Sequence, residues 1–184
     1  MRPPRGTTRR GVALSSIRLL VLDVDGVMTD GRLFFGEQGE ELKTFHVRDG
    51  HGIKALQAAG ITIAVISGRR SRAVERRCEE LGIDHLHQGV ADKGAVFARL
   101  IGALQLPAQA CACLGDDEPD VPLLSQVGLA VAVADAHPRA LAAAHRRTRA
   151  GGGQGAVREV CDWLLAARRA PVAPRRSTRL RGET

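Results

Sequence analysis

Ile17-Arg18-Leu19-Leu20-Val21-Leu22-Asp23-Val24-Asp25-Gly26 decides how this chain is read. The run up to Leu22 is short, apolar and β-rich, which predicts a buried parallel strand. Two carboxylates, two positions apart, follow at its carboxyl end, and in an open α/β sheet that is the end where ligands bind. Side chains at i and i+2 of an extended chain share a face. Asp23 and Asp25 therefore repel each other unless a cation lies between them or one is protonated. That is the electrostatic arrangement of a metal-assisted phosphoryl-transfer site.

Outward from this strand, the chain alternates short apolar runs with helical stretches. Residues 31–46 interrupt the alternation: two β-type runs flank Gly36 to Gly39, which predicts a hairpin. Asp49 is placed as the cap of a helix running to Ala59, with Gly60 as its stop. Residues 61–66 predict a second buried strand, ending at Ser67-Gly68-Arg69. Residues 71–81 read as a helix closed by Gly82, 85–88 as a short strand, and 92–104 as a helix begun by Asp92 and Lys93. Residues 110–114 read as a strand ending at Gly115-Asp116-Asp117. A short helix, a strand at 129–133 and a helix near 138–145 follow; 151–155 read as a flexible stretch and 156–168 as a last helix. Strands alternating with helices predict an α/β fold, a doubly wound, Rossmann-like parallel sheet. The hairpin is the one insertion and is too small to form a cap domain.

A chain of 184 residues is long enough for one domain with a sizeable core. Tyr is absent and aromatics make up 3%, so that core is built from Leu, Val, Ile and Ala. Four arginines in residues 1–16, and four against one glutamate in 171–184, account for the whole net charge of +7. The folded domain is therefore assigned to residues 17–170, between two basic tails at 1–16 and 171–184. Rich in Pro, Arg, Ser, Thr and Gly, the tails are expected to be disordered. Without interleaved aromatics or an amphipathic helix, they imply neither a nucleic-acid nor a membrane partner. No apolar run is long enough to span a bilayer, and the N-terminus lacks the apolar stretch of a signal peptide. Of Cys78, Cys111, Cys113 and Cys161, only Cys111 and Cys113 are closely spaced, without the C-x2-C loop of a metal pair. All four read as reduced thiols of a cytoplasmic protein.

Asp23/Asp25, Ser67-Gly68-Arg69, Lys93 and Asp116/Asp117 all fall at strand ends or helix starts, which the fold brings to one edge of the sheet. Each alone has a bland reading: a strand-terminal Asp caps, Ser-Gly-Arg turns, a helix lysine is solvated, and two aspartates cap a helix. Together, and in this order, they compose a chemistry. Asp23 is a candidate nucleophile, and Asp25 can protonate the leaving oxygen and then activate water. Mg2+ takes hard oxygen ligands, and Asp116 completes its site. Ser67 and the following backbone N–H bind phosphoryl oxygens, and Lys93 supplies fixed positive charge as the transition state develops.

The order D-x-D, S-G-R, K and Asp116-Asp117-Glu118-Pro119-Asp120 resembles the haloacid dehalogenase superfamily of phosphohydrolases. Phe45-His46-Val47-Arg48-Asp49-Gly50-His51-Gly52-Ile53, the stretch 131–138 and the stretch 152–160 are similar to its capless branch, the 3-deoxy-D-manno-octulosonate 8-phosphate phosphatases. The resemblance runs from about Ile17 to Ala167. It implies an aspartyl-phosphate on Asp23, and Mg2+ held by Asp23, the backbone carbonyl of Asp25 and Asp116. It implies a sugar-acid phosphate facing Asp25, His46, Val47, Arg48, Asp49, Gly50, Lys54, Ser67, Gly68, Arg69, Arg77 and Lys93. It further implies a homotetramer whose hairpins meet at the centre, a neighbour covering each site, and a place in the synthesis of the inner sugar of lipopolysaccharide. A substrate carrying both carboxylate and phosphate calls for several cations, and Arg48, Lys54, Arg69 and Arg77 are available. Pro119, Lys54 and Gln154 depart from the pattern of many relatives and bear on the sugar, not on the phosphoryl chemistry.

Three other readings compete. A phosphatase of a related nonulosonate 9-phosphate shares every motif. A phospho-receiver domain usually has adjacent acids on its first strand, unlike Asp23-x-Asp25. A non-catalytic oligomerisation domain is free to lose its catalytic residues, and here they are complete.

Overall fold

The computed structural model describes residues 12–169. Its elements in chain order are β1 (Leu19–Leu22), β2 (Phe34–Phe35), β3 (Glu41–Leu42), α1 (Val47–Ala58), β4 (Thr62–Ile66), α2 (Arg72–Leu81) and β5 (His85–His87). They continue with α3 (Lys93–Ala103), β6 (Cys111–Gly115), α4 (Val121–Leu124), β7 (Leu129–Ala132), α5 (Pro138–Ala143), β8 (Arg146–Arg147) and α6 (Ala156–Arg169). Six strands form one parallel sheet in the order β5-β4-β1-β6-β7-β8. The doubly wound α/β fold expected from the alternation is therefore present, with β2 and β3 as a separate two-stranded ribbon.

Every residue of β1, β6 and β7 is buried. Consecutive residues of a strand face opposite ways, so both faces of the sheet are covered, as parallel sheets require. Helix α1 packs on α6, while α4 packs on both α3 and α5. The core between them is built from Leu, Ile, Val and Ala, with Phe97 as the large buried aromatic. Burying each large aliphatic side chain contributes roughly 1.5–3 kcal/mol, and that contribution fixes β1 at the centre of the sheet.

Local signals set the element ends. Gly82 closes α2 in the left-handed conformation, φ 64°, and the Asp92 carboxylate accepts from Ala95 N at 3.0 Å to start α3. Asp49 is a correction. It does not cap α1, because His46 Nδ1 does so, accepting from Arg48 N at 3.1 Å. Asp49 instead lies buried inside α1, and its Oδ1 accepts from Arg158 N at 2.8 Å. It thus satisfies an orphan amide in the first turn of α6, where no local side chain does.

Two other expectations change. Residues 151–155 are not a flexible stretch. Gly152 N donates to Asp135 Oδ1 at 3.0 Å, and Gly153 N donates to Val27 O at 3.0 Å. A Cβ on Gly152 would stand 1.9 Å from the carbonyl oxygen of Gly26, so the segment is glycine-rich because it packs backbone against backbone. The leading boundary also moves: Leu14–Ser16 form a 3-10 turn, and Val12 and Leu14 pack against the core. Residues 1–11 and 170–184, which hold the tail arginines, lie outside the described residues. All four cysteines are buried and free, matching the reduced-thiol reading.

Gly152→Ala is therefore expected to destabilise the fold by about 2–3 kcal/mol through overpacking. Gly102→Ala, on α3 with nothing within 4 Å of the added carbon, leaves stability unchanged or slightly higher. Thermal unfolding of both variants checks this. A Tm for Gly152→Ala within about one degree of the parent would contradict the packed reading.

Candidate active site

The carboxyl ends of β1, β4 and β6 meet at a cavity of about 320 Å³. Asp23 and Asp25 enter it from β1, Ser67-Gly68-Arg69 from β4, Lys93 from the start of α3, and Asp116, Asp117, Pro119 and Asp120 from the loop after β6. A larger hollow of about 660 Å³, lined by Gln109, Gly128 and Leu129, lies at the amino ends of β6 and β7, away from all these carboxylates. The candidate site is the smaller one.

Lys93 is the hinge of the cluster. Its ammonium lies 2.9 Å from Asp23 Oδ1 and 2.7 Å from Asp120 Oδ1, in a buried position. Burial alone would lower its pKa, but Asp23 and Asp120 outweigh that, and Lys93 stays charged. Asp120 is fixed in turn, its Oδ2 accepting from Asp116 N at 2.9 Å. Asp117 and Asp120 form a capping box over the turn that follows. Asp120 thus orients both Lys93 and the Asp116 backbone, a task that its place in the sequence motif does not disclose.

One lysine does not neutralise three carboxylates. Asp23, Asp116 and Asp120 each offer an oxygen within 4.8 Å of the others. Burial, followed by repulsion from Asp120, raises Asp23 from 3.8 to about 6. Asp116 rises from 3.8 to about 8 by burial, then by repulsion from Asp23 and Asp120. Asp116 Oδ1 is buried and has no hydrogen-bond partner. The backbone leaves room for it: Gly26 turns with φ 82°, and a Cβ there would stand 2.1 Å from Asp116 Oδ2. Hard oxygens, excess negative charge and an unpartnered buried oxygen together fit a small divalent cation.

Asp25 is held from another direction. Its Oδ1 accepts from Lys43 Nζ, a side chain of the hairpin, and Arg69 Nε lies 3.8 Å from its Oδ2. Glu41 bridges the two cations at 2.8 Å from Lys43 Nζ and 2.8 Å from Arg69 Nη2. Sequence reading missed Lys43 and Glu41. The signal available was the alternation Glu41-Leu42-Lys43 on a strand next to the site.

Not every expected residue reaches this cavity. Ser67 does line it, buried, its Oγ accepting from Arg69 N at 3.3 Å; others do not. His46 and Arg48 line a separate cavity of about 230 Å³ with Asp30, Thr44 and Gln154. Val47 is exposed. Arg77 stacks over Phe45, 5.8 Å from the ring centroid, and pairs with Glu80 at 2.8 Å. Gly50 makes room for it, since a Cβ there would stand 2.4 Å from Arg77 Nη2. Lys54 Nζ lies beside Gly82, where a cation favours the carboxyl end of α2. In the single chain, Asp49, Gly50, Lys54 and Arg77 do not line the cavity of Asp23.

Known proteins resemble this chain in sequence and in fold. Residues 85–155 match the haloacid dehalogenase-like hydrolases. The chain is 54% identical over 153 residues to the 3-deoxy-D-manno-octulosonate 8-phosphate phosphatase KdsC of Yersinia pestis, covering 83% of this chain and 82% of that one. It belongs to this family of haloacid dehalogenase-like hydrolases. The relative from Escherichia coli K12 is 51% identical over 152 residues, 83% of this chain and 81% of that one. The crystal structure of the Yersinia pestis phosphatase superposes with a TM-score of 0.84 at 52% identity, covering 86% of this chain and 87% of that one. A Moraxella catarrhalis phosphatase, solved with magnesium, phosphate and KDO, superposes with a TM-score of 0.83 at 39% identity over 84% and 89% of the two chains.

The carboxylate cluster has a signature in pH. Asp23 and Asp116 bind protons more tightly folded than unfolded, so between about pH 4 and pH 8 the metal-free fold holds more protons than the unfolded chain. Their contribution to stability is full below the ordinary value of 3.8 and is lost as pH rises through about 6 and about 8. The metal-free Tm is expected to fall across that window. Mg2+, which takes the ionised carboxylates, is expected to raise Tm more at pH 8 than at pH 6. Calorimetric scans with and without Mg2+ at both pH values check it; an equal Mg2+ increment at the two would contradict the assignment.

Proposed function

We propose that this protein is the magnesium-dependent phosphatase of 3-deoxy-D-manno-octulosonate 8-phosphate, releasing the sugar acid and inorganic phosphate in lipopolysaccharide precursor synthesis. The observation that carries this reading is the joint placement of Asp23, Asp25, Ser67, Lys93 and Asp116 around one cavity, in a chain about half identical to phosphatases of that name. The placement supports phosphoryl transfer, and the relatives support the sugar.

In this reading the Asp23 carboxylate attacks phosphorus. The Asp23 O–P bond forms as the bond from phosphorus to the sugar oxygen breaks, and Asp25 gives that oxygen its proton. A water then passes a proton to Asp25 and attacks the aspartyl-phosphate. Its P–O bond to Asp23 breaks, phosphate leaves, and both aspartates return to their first state. Lys93 holds Asp23 ionised and in place, while Ser67, Gly68 and Arg69 face the phosphoryl oxygens. Asp23, the backbone carbonyl of Asp25 and Asp116 are the residues that would hold Mg2+, which when bound supplies positive charge against the phosphoryl group.

The same reading makes the protein a cytoplasmic homotetramer. Four buried free thiols support a reducing compartment, and no described helix is long and apolar enough to cross a membrane. The hairpin supports assembly: Leu33, Phe34, Phe35 and Leu42 are 41%, 48%, 63% and 60% exposed on a two-stranded ribbon. An isolated ribbon is marginal in water, and a contiguous exposed apolar patch marks an interaction surface. Pairing with the hairpins of other copies covers the patch and lays a neighbour over each site. His46 and Arg48, in their separate cavity, are assigned to that covered face.

Asp23→Asn is expected to keep the fold and lose more than about a hundredfold of Mg2+-dependent phosphate release from the octulosonate phosphate, since an amide does not attack phosphorus. A smaller loss removes Asp23 from the nucleophile's role. Phe34→Ser with Phe35→Ser is expected to dissociate the assembly. It should also depress turnover of the sugar phosphate more than that of p-nitrophenyl phosphate. A monomer mass for the parent protein by light scattering at micromolar concentration would sink the tetramer.

A further inference from the structure

The two catalytic-loop aspartates are secured by different means. Asp23 is fixed within the domain by Lys93, which α3 presents and Asp120 braces. Among the described residues, the Asp25 carboxylate receives its only hydrogen bond from Lys43. Lys43 comes from outside the α/β framework, on the segment that leaves β3. Strand alternation turns Glu41, Lys43 and Phe45 toward the domain and leaves Leu42 and Thr44 exposed. The Lys43 side chain is 1% exposed, although lysine is among the residues least often buried. Its ammonium is braced by Glu41, and Glu41 by Arg69, which closes back on Asp25 at 3.8 Å. Charges alternate around this ring, and three of its four side chains are largely buried: Lys43 at 1%, Glu41 at 14% and Asp25 at 21% exposure, against 46% for Arg69. Such burial of a lysine is tolerated only where its charge is fully partnered.

We propose that Lys43 is a positioning residue for the acid–base step. It holds the Asp25 carboxylate where the leaving oxygen departs, so the hairpin is part of the catalytic apparatus as well as an assembly surface. This rests on the phosphatase reading above. The consequence is specific. Misplacing Asp25 slows only the expulsion of groups that need a proton. A sugar hydroxyl is a poor leaving group and needs one; p-nitrophenolate does not. Specificity constants report the steps up to departure of the leaving group, so they isolate this effect from the later hydrolysis of the aspartyl-phosphate.

The test is a series of monophosphate esters with leaving groups running from p-nitrophenol through phenol to a simple alkyl alcohol, none carrying a carboxylate. It is run with Mg2+ on the parent protein and on Lys43→Met, Lys43→Arg and Glu41→Gln. For Lys43→Met, kcat/KM is expected within about threefold of the parent at the p-nitrophenyl end and about 30-fold down at the alkyl end, inside the range for a positioned general acid. Lys43→Arg recovers most of the loss. Glu41→Gln, which loosens Lys43 without removing it, steepens the series by a smaller factor and carries the test if Lys43→Met does not fold. Light scattering shows whether the assembly mass is unchanged. A uniform drop across the series, or none, overturns the positioning role and leaves the phosphatase reading standing. Failure of the parent to hydrolyse any ester, or the octulosonate phosphate, overturns that reading itself and this inference with it.

Discussion

Crowded carboxylates at the carboxyl edge of the sheet are the constraint on which the rest of the site depends. Asp23, Asp116 and Asp120 bring their oxygens within 4.8 Å of one another. A fold that buries β1 and β6 fully has no freedom to splay them apart. The chain answers with fixed positive charge: Lys93 between Asp23 and Asp120, and Lys43 on Asp25. Neither reaches Asp116 Oδ1, which stays buried and unpartnered. Burial first, and repulsion between the carboxylates second, raise the affinity of Asp23 and Asp116 for protons. A site that retains such an imbalance is organised for a cation the chain does not itself supply, and for a substrate whose charge that cation offsets.

The backbone carries the same constraint outward. Gly26 lets the first loop turn beneath Asp116, and the carbonyl of Gly26 faces Gly152 so closely that only glycine fits there. Gly153 N then bonds to Val27 O, and Asp135 takes Gly152 N. The loops after β1 and β7 and the segment leading into α6 are thereby locked together around the rim of the site. Asp49, reaching from α1 to the first turn of α6, ties the helical layer to that rim. These are hydrogen bonds of ordinary strength, each worth about 1 kcal/mol net. They fix the rim, while Asp116 itself is held by its N–H to Asp120 Oδ2 at 2.9 Å and by His137 N, which donates to its carbonyl at 2.7 Å.

What the sequence discloses follows from what is local. The strands of the sheet centre were legible because five- and six-residue apolar runs end in Gly, Asp or Ser, and the end of α2 because Gly82 takes a conformation other residues avoid. Asp23, Asp25, Ser67, Arg69, Lys93 and Asp116 were legible because each stands at such a boundary. Most of the misses are long-range. Asp49 caps a helix 109 positions away, and the local rule assigns it to its own. The pairing of Lys93 with Asp120 spans 27 positions and that of Lys43 with Asp25 spans 18. β8 is Arg146–Arg147, an exposed edge strand with no apolar residue to announce it. Residues 151–155 have the composition of a loose linker, and only the Gly26 carbonyl opposite reveals why they are glycines.

The hairpin and the segment that leaves it turn one set of side chains toward the site and another toward solvent. Successive residues point to opposite faces, so Lys43 enters the site while Leu42 faces away from it. A slip of one residue in the pairing would send Leu42 into the ring of charges and Lys43 out to the apolar face. Register here therefore decides whether Asp25 keeps its Lys43 partner. It is pinned by the turn at Gly36–Gly39, where Gly36 N bonds to Glu40 O at 2.9 Å and Gly39 adopts φ 82°, and by the Lys43–Asp25 pair itself. The buried ion pair discriminates steeply between registers, because the alternative leaves Asp25 without its partner and a leucine among carboxylates. The Lys43–Asp25 pair thus also favours the one hairpin alignment that sets Leu42 opposite Phe34 on the exposed face.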